Sequence, residues 1–166
     1  MALVPKNGND TVYTPNQLAL TIVKALNPKG LILEPCSGGG AFVRAFEKQG
    51  LEYISCEIDK GSDFFDFKDR VDWVITNPPW SQARKFLQHS MSVADNIAFL
   101  ITINHFLALK ARFRDMKEKG FWVSEVLLCD TPKEFPQSGF QLGVVVIKKL
   151  KDEEKIITKW RDLDAR

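Results

Sequence analysis

Four consecutive residues, Asn77-Pro78-Pro79-Trp80, have the types and order needed to hold a planar amino group. They follow the apolar stretch 71–76, which is typical of a strand. Two prolines remove two N–H donors and keep the backbone extended, which fixes two acceptors, the Asn77 amide oxygen and the Pro78 carbonyl. Two rigid acceptors suit an –NH2 group, and Trp80 could stack on a flat substrate. A proline-rich turn closed by a buried tryptophan is the alternative interpretation.

A second unusual stretch, Glu34 to Phe42, runs from a short apolar segment through three glycines into a helical pattern. Glycines let the backbone approach a ligand closely and adopt positive φ. The helix start that follows offers free N–H groups and a positive dipole end. The stretch alone predicts a ligand-binding loop or a structural tight turn, and it does not match the phosphate loop pattern of nucleotidases.

Together the two stretches resemble class I S-adenosylmethionine-dependent methyltransferases of the amino-methylating branch, and most of all the gamma-type adenine-N6 DNA methyltransferases. Glu34 to Phe42 resembles their motif I, and Asn77 to Trp80 resembles their motif IV, (N/D)-P-P-(Y/F/W). Tyr13-Thr14-Pro15 ahead of a helix resembles motif X, and Cys56 to Asp59 resembles motif II. The order X, I, II, IV is the gamma order, and the likeness covers about residues 13 to 80.

The resemblance implies S-adenosylmethionine as the cofactor and a role for each matching residue. Glu57 would accept hydrogen bonds from the ribose hydroxyls, and Asp63 would take the cofactor adenine amine with Phe64 beside its ring. The cofactor-binding residues so implied are Tyr13, Thr14, Pro15, Glu34, Pro35, Cys36, Gly38, Phe42, Glu57, Ile58, Asp63, Phe64 and Asn77. The residues implied on the target side are the catalytic Asn77, Pro78, Pro79 and Trp80, with Phe135 and Phe140 as candidates for a second aromatic against the base.

The function that the resemblance implies is methyl transfer to N6 of adenine in nucleic acid, with DNA favoured over RNA as the acceptor. Two alternatives stay open: a protein glutamine-amide N-methyltransferase, and a cofactor-binding partner subunit without catalysis. The chain departs from the family in one spacing, since only five residues separate Glu57 from Asp63. The second crossover must therefore be shortened or the edge strand lost, which leaves Asp63 and Asp66 as alternatives. We also expect no separate target-recognition domain.

These motifs must be positioned by strands that alternate with helices. The pattern predicts an α/β fold, a Rossmann-like sheet, mostly parallel with an antiparallel C-terminal strand, and helices on both faces. Thr14 is predicted as the N-cap of the first helix, with Pro15 at its first position. The predicted strands are 31–33, 53–58, 71–76, 97–103, 123–129 and 142–147. The predicted helices are one that begins at Pro15 and is stopped at 28–30, then 41–48, 82–93, a basic one ending at 119, and 151–166.

Composition predicts one domain over residues 1–166, with an arm at 1–12 and a charged C-terminal helix at 151–166. Three cysteines without a C-x-x-C pair, and no signal-peptide pattern in residues 1–10, lead us to expect a cytoplasmic chain without disulfides or metal. No apolar run is long enough for a membrane span. We expect nucleic acid as the partner, a monomer or homodimer, and structural roles for His89 and His105. Five basic residues between Lys110 and Lys119 predict a solvated helix face or a track for phosphates.

Overall fold

The computed structural model describes residues 12–150 and, for the backbone alone, residues 159–162. Helices and strands alternate along the chain, as the periodicity predicts. The helices are α1 (Asn16–Leu26), α2 (Ala41–Lys48), α3 (Ala83–Val93), α4 (Ile103–Leu107) and α5 (Lys110–Glu118). The strands are β1 (Ile32–Glu34), β2 (Tyr53–Ser55), β3 (Val71–Thr76), β4 (Ala94–Thr102), β5 (Phe121–Leu128), β6 (Leu142–Lys149) and β7 (Lys159–Asp162).

The strands form one seven-stranded sheet in the order β2-β1-β3-β4-β6-β5-β7. The first four strands of this order are parallel, whereas β6 runs antiparallel to both β4 and β5. Strand β7 pairs with β5 in parallel, Glu125 lying opposite Lys159. The predicted Rossmann-like sheet with an antiparallel C-terminal strand is therefore confirmed.

Helices cover both faces of the sheet, and the alternation of side chains along β4 shows why. Ala98 and Leu100 belong to the core cluster under α1 and α2, while Ile97, Phe99 and Ile101 belong to the cluster under α3 and α4. Because successive side chains of a strand point to opposite faces, a strand buried on both sides is apolar throughout. Burial on both faces fixes the register of the central strands, and hence the positions of the loops at their ends.

The segment between β2 and β3 is the main departure from a full Rossmann-like sheet. The strand predicted over 53–58 ends at Ser55, and two short 3₁₀ turns follow, Ile58–Lys60 and Phe64–Asp66. Neither a further strand nor an α-helix occurs within the described residues 56–70. Of the two outcomes predicted for this crossover, the structure has the lost edge strand.

The C-terminal helix predicted over 151–166 is wrong for residues 159–162, which form β7. The unpaired backbone groups along the edge of β5 offer a ladder of hydrogen bonds that outweighs local helix propensity. The remaining residues of that range lie outside the described residues, as does the N-terminal arm before Val12. Among the helices that the structure describes, none combines the length and apolarity needed to cross a bilayer.

Candidate active site

The turns that follow β1 and β3 meet at one edge of the sheet because these two parallel strands are hydrogen-bonded neighbours. Between them lies a cavity that brings both motif stretches together with the segment before α1. Seven of the predicted cofactor-binding residues line it: Tyr13, Thr14, Glu34, Cys36, Gly38, Phe42 and Asn77. The remaining lining residues are Val12, Ser37, Gly39 and Ala41.

Two of the three glycines in the loop after β1 have a backbone conformation that favours glycine. Gly38 and Gly40 have φ of 46° and 77°, which side chains other than glycine rarely adopt. Gly39 has an ordinary φ, but a Cβ there would lie 3.1 Å from Cδ1 of Tyr13. The carbonyl of Gly39 accepts a hydrogen bond of 2.8 Å from the Arg44 guanidinium of α2. The loop is thus held from outside by Arg44 and covered from inside by the ring of Tyr13.

Two carboxylates face this loop from the ends of β1 and β2. Glu57 accepts a short hydrogen bond from the Gly38 N–H, and its other oxygen accepts one of 3.4 Å from the Asp59 N–H. Glu34 is almost completely buried, and one of its oxygens accepts a hydrogen bond of 3.2 Å from the Cys36 N–H. Burial raises the pKa of Glu34 to about 8, with Thr76 and Cys36 opposing the shift through hydrogen bonds.

Cys36 lies between the two motif stretches. Its Sγ is 3.0 Å from Oγ1 of Thr76 and donates to the Asn77 carbonyl oxygen at 3.4 Å. Burial and the neighbouring Glu34 hold the pKa of the Cys36 thiol well above its ordinary value. The residue is therefore a thiol at neutral pH, which joins the two loops rather than acting as a nucleophile.

The side chain of Asn77 is held at both ends of its amide. Its Nδ2 donates to the Val12 carbonyl at 2.9 Å and to Oγ1 of Thr14 at 3.3 Å. Its Oδ1 accepts from the Trp80 indole N–H at 3.3 Å. The predicted N-cap role of Thr14 is wrong: the cap residue of α1 is Pro15, without a side-chain cap, because the Thr14 hydroxyl is engaged with Asn77.

The ring of Trp80 has two neighbouring rings, those of His105 and Phe135. Its ring centroid is 6.4 Å from that of His105, at an interplanar angle of 28°, and 6.3 Å from that of Phe135. Phe135 is buried in the core, whereas Phe140 is half exposed on the same loop between β5 and β6. The structure therefore brings Phe135 to the site beside Trp80, and leaves Phe140 open to solvent on the loop that carries Phe135.

His105 and Arg112 hold the segment that contains Trp80, and neither residue belongs to a recognisable sequence motif. Nε2 of His105 lies 3.0 Å from the Trp80 carbonyl oxygen and 3.2 Å from an Arg112 nitrogen. That ring nitrogen can donate to the carbonyl or accept from Arg112, but one tautomer cannot do both. Arg112 is 2% exposed, donates to the His105 and Phe106 carbonyls, and has its pKa lowered by burial. The one sequence feature that could have indicated a place for His105 near the site is its position just after the carboxyl end of β4.

Two of the residues predicted for the cofactor adenine line a separate groove, next to α3. Ile58 and Asp63 line the groove together with Phe65, and Ile58 is 68% exposed. Phe64 packs in the core instead, 5.2 Å from Phe86 and 4.6 Å from His89 between ring centroids. Asp63 also accepts from the Phe65 N–H at 2.9 Å, so it caps the second 3₁₀ turn. The role of Phe64 at the adenine ring stays a prediction, and its contacts are those of a core residue.

Four other predicted residues do not line the cavity. Pro15 precedes α1, Pro35 and Pro78 are buried, and Pro79 is the N-cap of the 3₁₀ turn that contains Trp80. His89 contacts the Phe67 carbonyl with Nε2 at 2.9 Å, which agrees with a structural role. Within the described part of the chain, no group of three or more metal-ligating side chains is present.

Comparison with known proteins gives a consistent answer at the level of the fold. No protein-family model and no curated sequence matches the chain. Its structure is similar to that of a candidate RNA methyltransferase from Pyrococcus horikoshii, with a TM-score of 0.67 and 20% identity over 88% of this chain and 91% of that chain. It is also similar to a candidate class I S-adenosylmethionine-dependent methyltransferase from Listeria monocytogenes, with a TM-score of 0.64 and 13% identity over 97% and 68% of the two chains.

A third similar structure is the modification subunit of a candidate type I restriction enzyme from Vibrio vulnificus. The TM-score is 0.63 at 16% identity, over 91% of this chain and 50% of that chain. The present chain thus spans about half the length of that subunit. Identities this low establish the fold. The chain has the fold of the class I methyltransferases.

Proposed function

We propose that this chain transfers a methyl group from S-adenosylmethionine to N6 of adenine in nucleic acid, with DNA favoured over RNA. The observation that carries the proposal is the position of Asn77. Its amide lines the cavity formed by the glycine loop, and hydrogen bonds to Val12, Thr14 and Trp80 fix its orientation. The Oδ1 acceptor therefore points away from the N-terminal segment, toward Trp80.

The residues of the cavity fit the proposed cofactor. Glu34 places a buried carboxyl group behind the glycine loop, where the positive ammonium of a methionine moiety would stabilise its ionised form. Each oxygen of Glu57 keeps a free lone pair beyond its loop contact, which suits ribose hydroxyls. Ile58 and Asp63 supply an exposed apolar face and a carboxylate for a purine. Bound S-adenosylmethionine would supply an electrophilic methyl group on its sulfonium.

The chain's own contribution to the reaction is to orient the target nitrogen. The lone pair of an adenine amine is delocalised into the ring, so the amine is a weak nucleophile. Oδ1 of Asn77 and the Pro78 carbonyl would each accept one N–H bond of the amine. Two such acceptors favour a pyramidal nitrogen, whose lone pair can attack the methyl group along the line of transfer. The proton can leave after the attack, so no general base is required. A target within a duplex would have to be flipped out to reach Trp80.

Labelled S-adenosylmethionine tests the proposal when it is offered with duplex DNA, single-stranded DNA, total RNA and a cell protein extract. We expect N6-methyladenine in a nucleic acid, most strongly in DNA, after digestion of the acceptor. With Asn77→Ala, turnover should fall by about 10²-fold or more, because one of the two fixed acceptors is lost. Binding of S-adenosylmethionine, measured by calorimetry, should stay close to that of wild type.

The matched variant Asn77→Asp separates the acceptor from the anchoring of the amide. It keeps an oxygen for the target amine and loses the Nδ2 donor to Val12 and Thr14. We therefore expect turnover between those of wild type and Asn77→Ala. Label in protein alone would replace the proposal with amide methylation. Cofactor binding without label in any acceptor would point to a non-catalytic subunit, and full activity of Asn77→Ala would contradict the mechanism.

A further inference from the structure

Helix α5 presents a basic and partly apolar strip to solvent. Lys110, Phe113, Arg114 and Lys117 are exposed, and their spacing of three and four residues places them on one side of the helix. Leu109 lies at the start of this strip and is 44% exposed, and Phe113 is 37% exposed. We call these five residues the α5 face.

Helix α5 has two acidic residues, and only one of them is exposed near this face. Asp115 points inward, where it is 8% exposed and forms a two-bond ion pair with Arg84 at 2.7 and 3.0 Å. Glu118 is the one exposed acid of the helix and lies at its end. In the described part of the chain, Lys110, Arg114 and Lys117 take part in no ion pair. Their three charges are therefore available to an external partner.

The α5 face is tied to the candidate active site by buried contacts. Arg112, on the inner side of the same helix, donates to the His105 and Phe106 carbonyls. His105 in turn contacts the Trp80 carbonyl and stacks on the Trp80 ring. The N-terminal end of α5, with Leu109 and Lys110, thus follows directly after the segment that supports Trp80. A chain lying along α5 would be led toward the ring that is proposed to hold the target base.

We propose that the α5 face binds the nucleic acid substrate. This inference rests on the proposed function, and the partner follows from the chemistry of the face. Unpaired lysine and arginine side chains neutralise phosphates and release counterions. An exposed phenylalanine between them offers a stacking surface for a base, as in proteins that bind single strands. A protein partner would be expected to meet fewer unpaired charges and a larger apolar area.

The test is direct binding of labelled oligonucleotides, measured by fluorescence anisotropy over a range of salt concentrations. Single-stranded DNA, duplex DNA and RNA of equal length serve as probes, and the probe that binds most tightly identifies the form of the substrate. The variant Lys110→Gln, Arg114→Gln, Lys117→Gln should bind at least tenfold more weakly than wild type at low salt. Since each phosphate contact on a single strand contributes about 0.7 to the slope of log K against log salt, that slope should become shallower by about 2.

A matched control removes the same charge from the opposite face of the sheet. Lys24 and Lys48 lie on α1 and α2, Lys29 follows α1, and all three are exposed. The variant Lys24→Gln, Lys29→Gln, Lys48→Gln should bind as wild type does. Phe113→Ala should weaken single-strand binding by about tenfold without changing the salt slope, because stacking releases no counterions. Equal affinity of wild type and the α5 variant, or equal losses in both triple variants, would overturn the inference.

Failure of the proposed function is distinguishable from failure of the α5 face. Asn77→Ala keeps the face, so its oligonucleotide binding should keep the wild-type salt slope even if no methyl transfer occurs. The α5 variant keeps the cavity, so it should bind S-adenosylmethionine as wild type does. Oligonucleotide binding that depends on α5, with no methylated product, would refute the proposed methyl transfer but support nucleic-acid binding by the α5 face. A methylated product together with unchanged binding in the α5 variant would refute nucleic-acid binding by the α5 face but support the proposed methyl transfer.

Discussion

Glu34 combines a carboxyl group with nearly complete burial at the end of β1. It is 2% exposed, and burial raises its pKa to about 8 from an ordinary value of 4.5. Between these two pH values the folded chain keeps the proton that the unfolded chain releases. The stabilising contribution of this group is therefore complete below about pH 4.5 and is lost as the pH rises through about 8.

The corresponding prediction concerns the pH dependence of unfolding. The Glu34 contribution should lower the free energy of unfolding by about 1.4 kcal/mol per pH unit across this window. Glu34→Gln keeps an oxygen for the Cys36 N–H and has no proton to release, so its stability relative to wild type should rise steadily with pH. Urea titrations of both proteins at pH 5, 6, 7 and 8 measure the difference. A constant difference at all four values would show that Glu34 titrates normally.

The residue types of the site were predictable, whereas their partners were not. Asn77, Glu34 and Gly38 were identified by order and type, and they line one cavity. The hydroxyl of Thr14 was assigned to a helix cap, but it contacts Asn77, a residue 63 positions away. Local sequence contains no information on a contact that only the sheet creates. The prediction for His105 is a structural role, and its contacts with Trp80 agree with that role, but local sequence could not identify Trp80 as the partner for the same reason.

At the scale of elements, Gly143 in β6 shows how closely the antiparallel strands and α4 approach one another. A Cβ on this residue would lie 2.6 Å from the Leu127 carbonyl oxygen of β5 and 2.9 Å from Cδ1 of Ile103 in α4. A glycine inside a strand often marks such a close approach. Its absence of a side chain lets α4 pack on the sheet, and α4 carries His105 to Trp80.

We therefore expect Gly143→Ala to be destabilising by about 1 to 3 kcal/mol, as overpacked core positions are. Gly39→Ala is the matched control, since the nearest neighbour of its new Cβ would be the ring of Tyr13, a side chain that is 60% exposed. The control should change stability by less than about 0.5 kcal/mol. Thermal unfolding of both variants and wild type provides the measurement. Equal melting temperatures for Gly143→Ala and wild type would show that β5 and β6 separate without cost.

Secondary-structure elements were predictable from sequence where a helical hydrophobic pattern continued over several residues or where the strand was mostly apolar because it is buried on both faces. Helix α2 and strand β3 have the predicted bounds, 41–48 and 71–76. The tail at 159–162 was predicted as a helix from its charge and spacing, but pairing with β5 makes it a strand. Tertiary pairing outweighs a weak local preference in such short segments.

At the scale of the whole molecule, the fold followed from the alternation of strands and helices, and the substrate did not. The sheet order and the meeting of two loops at one edge are general properties of this class of sheet. The identity of the acceptor depends on surfaces such as the α5 face, and burial decides which charged side chains are exposed on such a surface. Arg112 illustrates the limit: in sequence it is one of five cations, and in the structure it is 2% exposed and unable to meet phosphate.

The missing strand beside β2 has a consequence for self-association. Loss of a strand leaves β2 as an edge of the sheet, and exposed edges are templates for pairing between chains and for aggregation. Here the edge strand is only Tyr53–Ser55, so it offers few unpaired backbone groups to another chain. The following residues turn away at once into the 3₁₀ turn that begins at Ile58. The β2 edge therefore exposes little backbone for pairing with another chain.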